Sequence, residues 1–161
     1  MSATILAIDP GTDKSGVVEY LPGERKIRAC VLDNRELLER IRRSELPLDV
    51  MAIEQIRSYG MAIGATTLDT VEWSGRFIEA FLHRDPANDE SRVLRLPRLE
   101  IKVHLCGTAK AKDANIRQAL IDRLGPPGTK KQPGPTYGIS SHMWSALAVA
   151  VTAHDKLEKQ E

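Results

Sequence analysis

Two acidic residues stand directly after short apolar segments of this sequence. Asp9 follows the run Thr4 to Ile8 and precedes a turn-forming Pro-Gly-Thr, and Glu54 follows the run Asp49 to Ile53. Buried strands deliver such acids to one edge of a sheet, where they meet if the strands are neighbours. Carboxylates at a rigid edge are the ligands with which two divalent cations, about 4 Å apart, hold a scissile phosphodiester. Taken alone, Asp9 is also compatible with a simple turn, and Glu54 is also compatible with a solvated side chain after a strand.

A histidine and a third acid lie at predicted helix starts. Ser140 or Ser141 is expected to cap the final helix, which places His142 in its first turn. The partial positive charge there disfavours a protonated imidazole, so His142 would be neutral and able to bind a metal. The alternative is a surface histidine near a cap. Asp113 begins the preceding helix and could lean into the same site, or could simply favour its own helix N-terminus.

Hydrophobic periodicity predicts the elements that must position these residues. The order is three strands in an antiparallel meander, a helix, a strand, a helix, a strand and two helices. The predicted strands are Thr4 to Ile8, Ser15 to Tyr20, Lys26 to Leu32, Asp49 to Ile53 and Leu99 to Leu105. The predicted helices are Asn34 to Arg43, Leu68 to His83, Lys112 to Leu124 and a final one from Ser140 or Ser141 to Val151. Residues 85–91 and 128–138 are expected to form exposed loops.

Composition limits the classes of protein that fit. The 161 residues are 42% hydrophobic and 28% charged, which predicts one globular domain over residues 1–161. The net charge of +1 does not decide for or against a nucleic-acid partner, because phosphate binding needs locally clustered cations. No apolar run approaches the roughly 18 residues of a membrane span, and no leader pattern is evident, so a cytoplasmic location is expected. Cys30 and Cys106 are predicted to be free thiols buried in strands.

Three segments taken together resemble the catalytic blocks of RuvC-type Holliday junction resolvases, members of the RNase H-like superfamily. They are Asp9-Pro10-Gly11-Thr12, Ile53-Glu54-Gln55 and His142 to Ala150. Order and spacing agree over nearly the whole chain. Asn115 to Gly125 and Tyr137 to Ala150 are also similar to phage and prophage RuvC-like proteins. The resemblance implies an α/β, RNase H-like fold with a mixed five-stranded sheet and helices on both faces.

The resemblance also implies a metal site. In that family the strand-end Asp, the Glu before Gln, and two acidic or histidine positions on the last helix hold two magnesium ions. Asp9 would bridge two Mg²⁺ or Mn²⁺ ions, Glu54 would bind one, and His142 would bind the other or assist proton transfer. Ser145 stands where the second helix Asp is expected, and a neutral hydroxyl is a poor ligand. Asp113 could compensate, or substrate oxygens could hold most of one metal ion. Such a site could also be slower or more selective for its metal, because manganese tolerates imidazole better than magnesium does.

The implied activity is structure-specific hydrolysis of branched DNA such as Holliday junctions, leaving 5′-phosphate and 3′-hydroxyl ends. Ser145 suggests an alternative, a protein that binds junctions without cutting them. A homodimer through the helix from Trp73 to Phe81 is implied, because four-way DNA presents two symmetric strands, although these aromatics equally suit a monomer core. An actin-like or sugar-kinase-like phosphotransferase needs two domains, for which the chain is too short.

Several residues are candidates for contacts with DNA. Tyr59 sits on a glycine-flanked loop just after Glu54, where an aromatic ring could stack on an unpaired base, or could pack under its own loop. Basic residues flank both predicted helix starts and could follow phosphates on either side of the site, although charge runs are usually solvated faces. The candidates are Arg57, Tyr59, Lys110, Lys112, Arg117, Lys130 and Lys131.

Overall fold

A computed structural model of the chain describes residues 2–46 and 48–160. This part of the chain contains a five-stranded mixed sheet. The strands are β1 (Ile5–Asp9), β2 (Lys14–Leu21), β3 (Lys26–Asp33), β4 (Val50–Gln55) and β5 (Val93–Pro97). Their order across the sheet is β3-β2-β1-β4-β5. The first three strands pair antiparallel, whereas β4 pairs parallel with both β1 and β5. The predicted meander is therefore confirmed, and β1 and β4 are neighbours.

Helices cover both faces of the sheet, as the sequence predicts. They are α1 (Asn34–Arg42), α2 (Ala65–Arg84), α3 (Arg98–Cys106), α4 (Asp113–Leu124) and α5 (His142–Glu158). One core lies between the sheet and α3, α4 and α5, and the other lies between the sheet and α1 and α2. Successive residues of β1 point alternately into these two cores, which explains its unbroken apolar run. None of the helices in the described ranges is long and apolar enough to cross a membrane.

The predicted strand Leu99 to Leu105 is wrong, because this segment forms α3 and the fifth strand lies just before it. Its apolar residues alternate in sequence, but residues four apart share a helix face as well as a strand face. Ile101 and Leu105 are such a pair, and both pack against the core. Leu99 and Val103 remain exposed on the outer side of the helix.

The two cysteines are free, as expected, but their predicted burial in strands is wrong. Cys30 lies on β3 and is exposed, because β3 is an edge strand that is only partly covered. Cys106 is half-buried and ends α3, so it is not in a strand.

An ion network fixes the three helices of one face to each other. Asp155 of α5 accepts hydrogen bonds from Arg123 of α4 and, at 2.6 Å, from Nε2 of His104 in α3. The Asp155 side chain is only 12% exposed. Burial opposes its ionisation, but the bonds from Arg123 and His104 hold the pKa of Asp155 below its usual value. The network therefore sets the spacing of α3, α4 and α5.

Asp155→Asn is expected to lower the free energy of unfolding by about 2 kcal/mol, because it leaves the guanidinium of Arg123 without its counter-charge. Urea denaturation at pH 7 measures the change. Asp122→Asn is the matched control, since Asp122 is exposed on α4 and bonds to Gln118 of the same helix. Equal effects of the two substitutions would contradict the proposed role of the network.

Candidate active site

Asp9 and Glu54 lie side by side at one edge of the sheet. Strands β1 and β4 are parallel neighbours with Ile8 opposite Ile53, so the acid that follows each residue emerges at the same end. Both carboxyl groups are largely buried, with side chains 15% and 11% exposed, and each influences the pKa of the other. The structure therefore brings together two of the predicted metal ligands.

His142 joins these acids because α5 begins directly against β2. Gly16 pairs with Asp9 across the antiparallel ladder, and a Cβ added at Gly16 would lie 2.4 Å from the carbonyl oxygen of His142. Only glycine allows this approach of helix to strand. As a result, Nδ1 of His142 lies 3.2 Å from Oδ2 of Asp9. The imidazole is otherwise open to solvent, with 69% of the side chain exposed.

The two carboxyl groups carry poorly compensated negative charge. Burial raises the pKa of Asp9, and the neighbouring His142 only partly opposes this. Burial and the nearby charge of Asp9 together raise the pKa of Glu54 from 4.5 to about 7. Oε2 of Glu54 is buried and accepts no hydrogen bond from any residue that the structure describes. An added cation would satisfy both the charge and this oxygen.

Arg98 is a part of the site that the sequence reasoning missed. It is the first residue of α3, and its Nη1 lies 3.6 Å from Oε2 of Glu54, too far for a hydrogen bond but close enough for an ion pair. Its other terminal nitrogen binds the carboxylate of Asp113. The signal in the sequence was an arginine directly after a strand that neighbours β4. That signal could not be used because β5 itself was misplaced.

Asp113 and Ser145 face the same cavity as the catalytic candidates. This cavity has a volume of about 470 Å³ and lies between α3, α4 and α5, with Glu54, Arg98 and His142 among its lining residues. The Asp113 side chain is 84% exposed and pairs with Arg98. It therefore lies at the rim of the cavity and compensates the positive charge of that guanidinium. Its contribution as a metal ligand stays a prediction.

The residues present fit one divalent cation between Asp9 and Glu54. Carboxylate oxygens are hard ligands that suit Mg²⁺ or Mn²⁺. Among the described residues, the buried Oε2 of Glu54 has no hydrogen-bond partner, so it has a lone pair available for such an ion. His142 contacts Asp9 with one ring nitrogen and is turned outward. Within the described part of the chain, no three His, Cys, Asp or Glu side chains already stand in a metal-binding arrangement. Binding of an ion would therefore require a rotation of the imidazole or ligands from water and substrate.

The loop after β4 presents its aromatic residue to solvent. Tyr59 is 56% exposed, so its side chain is not packed under the loop. Its φ is positive, at 48°. Met61 and Ile63 are exposed beside it in sequence. Arg57 donates two hydrogen bonds to the side chain of Gln55, which directs the guanidinium back toward the strand end.

The other predicted DNA-binding residues are all exposed, but of these only Arg117 lines the cavity. Arg117 lines the cavity and its guanidinium lies 5.1 Å from the ring centre of Trp144. The four lysines are exposed but are not among the residues that line the cavity: Lys110, Lys112, Lys130 and Lys131. A role for them in binding DNA stays a prediction.

Comparisons with known proteins identify the fold. No family model matches the chain, and no curated protein matches it. The solved structure of RuvC from Thermus thermophilus is 20% identical over 97% of this chain and 96% of that chain, with a TM-score of 0.65. T. thermophilus RuvC in complex with a Holliday junction substrate is 18% identical over 93% of this chain and 92% of that chain, also with a TM-score of 0.65. The chain therefore has a RuvC-like, RNase H-like fold, as the sequence predicts.

Glu54→Gln is expected to stabilise the metal-free protein in a pH-dependent way. The folded state keeps the Glu54 proton up to about pH 7, whereas a free Glu loses it near 4.5. Wild-type stability therefore falls relative to the variant as the pH rises through this window. The gain should be about 2 kcal/mol at pH 8 and near zero at pH 4, measured by urea denaturation in EDTA. Glu24→Gln, in an exposed turn, is the control, and a pH-independent gain at Glu54 would contradict the prediction.

Proposed function

We propose that this chain is a divalent-metal-dependent endonuclease that cuts branched DNA such as Holliday junctions. The observation that carries the proposal is the buried pair of Asp9 and Glu54 beside the exposed imidazole of His142. Two acids buried this close together destabilise the fold unless a proton or a cation compensates their charge. Such a pair is therefore typical of a functional site rather than of residues with a purely structural role. The RuvC-like fold supports the same function, and one of the similar structures contains a Holliday junction substrate.

The residues of the chain have distinct roles in this proposal. A bound divalent cation would supply Lewis-acid stabilisation for hydrolysis of the phosphodiester. Asp9 and Glu54 would hold it at the end of a rigid parallel strand pair. Nδ1 of His142 lies 3.2 Å from Oδ2 of Asp9. A carboxylate can only accept, so Nδ1 would donate to it, which would orient the ring and leave Nε2 as a proton acceptor on the open side. The N-terminus of α5 adds partial positive charge, which favours a phosphate at this place.

DNA would lie across this edge of the sheet. Tyr59 is exposed on the loop that follows β4, so an unpaired base near the crossover could stack on its ring. Arg117 lines the cavity beside Trp144 and could contact a phosphate there.

A homodimer would suit a substrate with two symmetric strands, and α2 remains the proposed contact. Phe77 and Phe81 are fully buried in the monomer core, so they cannot form the dimer contact predicted for them. Trp73 stacks on Phe77 and is also partly buried. The exposed apolar residues of α2 are Leu68 and Val71, and they are the candidates for a dimer interface.

Ser145 favours a second candidate function, a protein that binds junctions without cutting them. It lines the cavity where the resemblance predicts an acid, and it adds no charge to hold a metal. The two candidates differ in whether strand breaks appear on a labelled four-way junction with Mn²⁺.

Asp9→Asn should abolish nicking of a labelled four-way junction in Mn²⁺ while leaving the gel shift of the junction intact. The substitution removes a carboxylate that is held against Glu54, and rate losses of 10³-fold or more are usual for such groups, on the order of 4 kcal/mol. Asp13→Asn is the matched control, because Asp13 is an exposed acid in the turn that follows β1. A wild-type protein that shifts the junction without cutting it would establish the binding alternative instead.

Tyr59→Ala is expected to weaken junction binding by about 1 to 3 kcal/mol, the usual value of stacking one base on an aromatic ring. Binding of the wild-type protein should raise the fluorescence of 2-aminopurine placed at the crossover, because the base leaves the stack of its neighbours in the DNA. The Ala variant should lose this rise. Tyr59→Phe keeps the ring and should behave as wild type. Equal losses in the Ala and Phe variants would assign the effect to the hydroxyl group and would contradict stacking.

A further inference from the structure

The guanidinium of Arg98 occupies the space between the acids of the site and the helix that supplies Asp113. It forms an ion pair with Glu54 at 3.6 Å and also binds Asp113. About a third of the side chain is exposed, so the charge faces the cavity rather than the protein core. A fixed positive charge is therefore already present beside the carboxylate that would hold a metal ion.

The charges around the cavity match one divalent ion better than two. Three carboxylates face this region: Asp9, Glu54 and Asp113. Arg98 compensates one of them, and Arg117 also lines the cavity with its guanidinium 5.1 Å from the ring centre of Trp144, so at most two negative charges remain. Ser145 is neutral and adds no charge that could hold a second ion. One divalent ion neutralises the remainder, whereas a second would leave an excess of positive charge in a partly buried site.

We propose that Arg98 takes the place of a second cation, so that the site holds one divalent ion beside a fixed guanidinium. This proposal rests on the proposed nuclease function and specifies its metal content. Arg98 would balance Glu54 and would present donors toward a phosphate oxygen from the cavity side. The proposal also explains the serine at position 145, because an acid there would be a ligand for a second ion that this chain does not bind.

The number of bound ions tests the proposal without measuring cleavage. The full chain is titrated with Mn²⁺ alone and the bound ion is followed by electron paramagnetic resonance and by calorimetry. Wild type is expected to bind one Mn²⁺ per chain, with the spectrum of an isolated ion. Arg98→Gln removes a like charge next to the ion and should tighten its binding about tenfold. The double variant Arg98→Gln with Ser145→Asp should bind two ions whose spins are coupled.

Arg40→Gln is the matched control, because Arg40 also pairs with a carboxylate, Glu36, but on α1. It should leave both the stoichiometry and the affinity unchanged. Two coupled Mn²⁺ ions in wild type would overturn this proposal and leave the nuclease function standing. Unchanged affinity in Arg98→Gln, with thermal melting showing a folded protein, would also overturn it. Absence of any Mn²⁺ binding by wild type would overturn the nuclease function as well.

Discussion

Repulsion between two carboxylates in a poorly solvated place is the constraint on which the site depends. Asp9 and Glu54 are held together because β1 and β4 are parallel neighbours in register, and neither strand can move without disrupting the core on both faces. Each acid is desolvated, and the charge of Asp9 adds to the rise of the pKa of Glu54. The fold thereby maintains an unfavourable arrangement that a cation would relieve.

The surrounding elements bring compensating groups to this pair from different directions. Gly16 lets the first turn of α5 approach the strand, which supplies His142 and the positive end of a helix. The start of α3 supplies Arg98, and the start of α4 supplies Asp113. The network around Asp155 joins these three helices at their other ends, so the groups converge on one cavity.

The acids could be predicted from the sequence because their signal is local. Asp9 and Glu54 each follow a short apolar run, and such a run predicts both the strand and the edge where it ends. Arg98 could not be predicted in the same way, because its contact with Glu54 depends on where β5 ends. The alternating residues of α3 suit a strand as well as a helix, and only their packing against the core shared with α4 and α5 distinguishes the two. Exposure of Tyr59 also depended on tertiary structure.

Diffraction from crystals soaked in Mn²⁺ tests the central claim most directly, since manganese gives an anomalous signal that locates the ion. The account predicts a peak within about 2.5 Å of oxygens from both Asp9 and Glu54, a distance within the usual range for hard oxygen ligands. A fully occupied peak bound by neither acid, or a site that stays without a peak at saturating Mn²⁺, would contradict it. The same map would show whether the ring of His142 turns toward the ion.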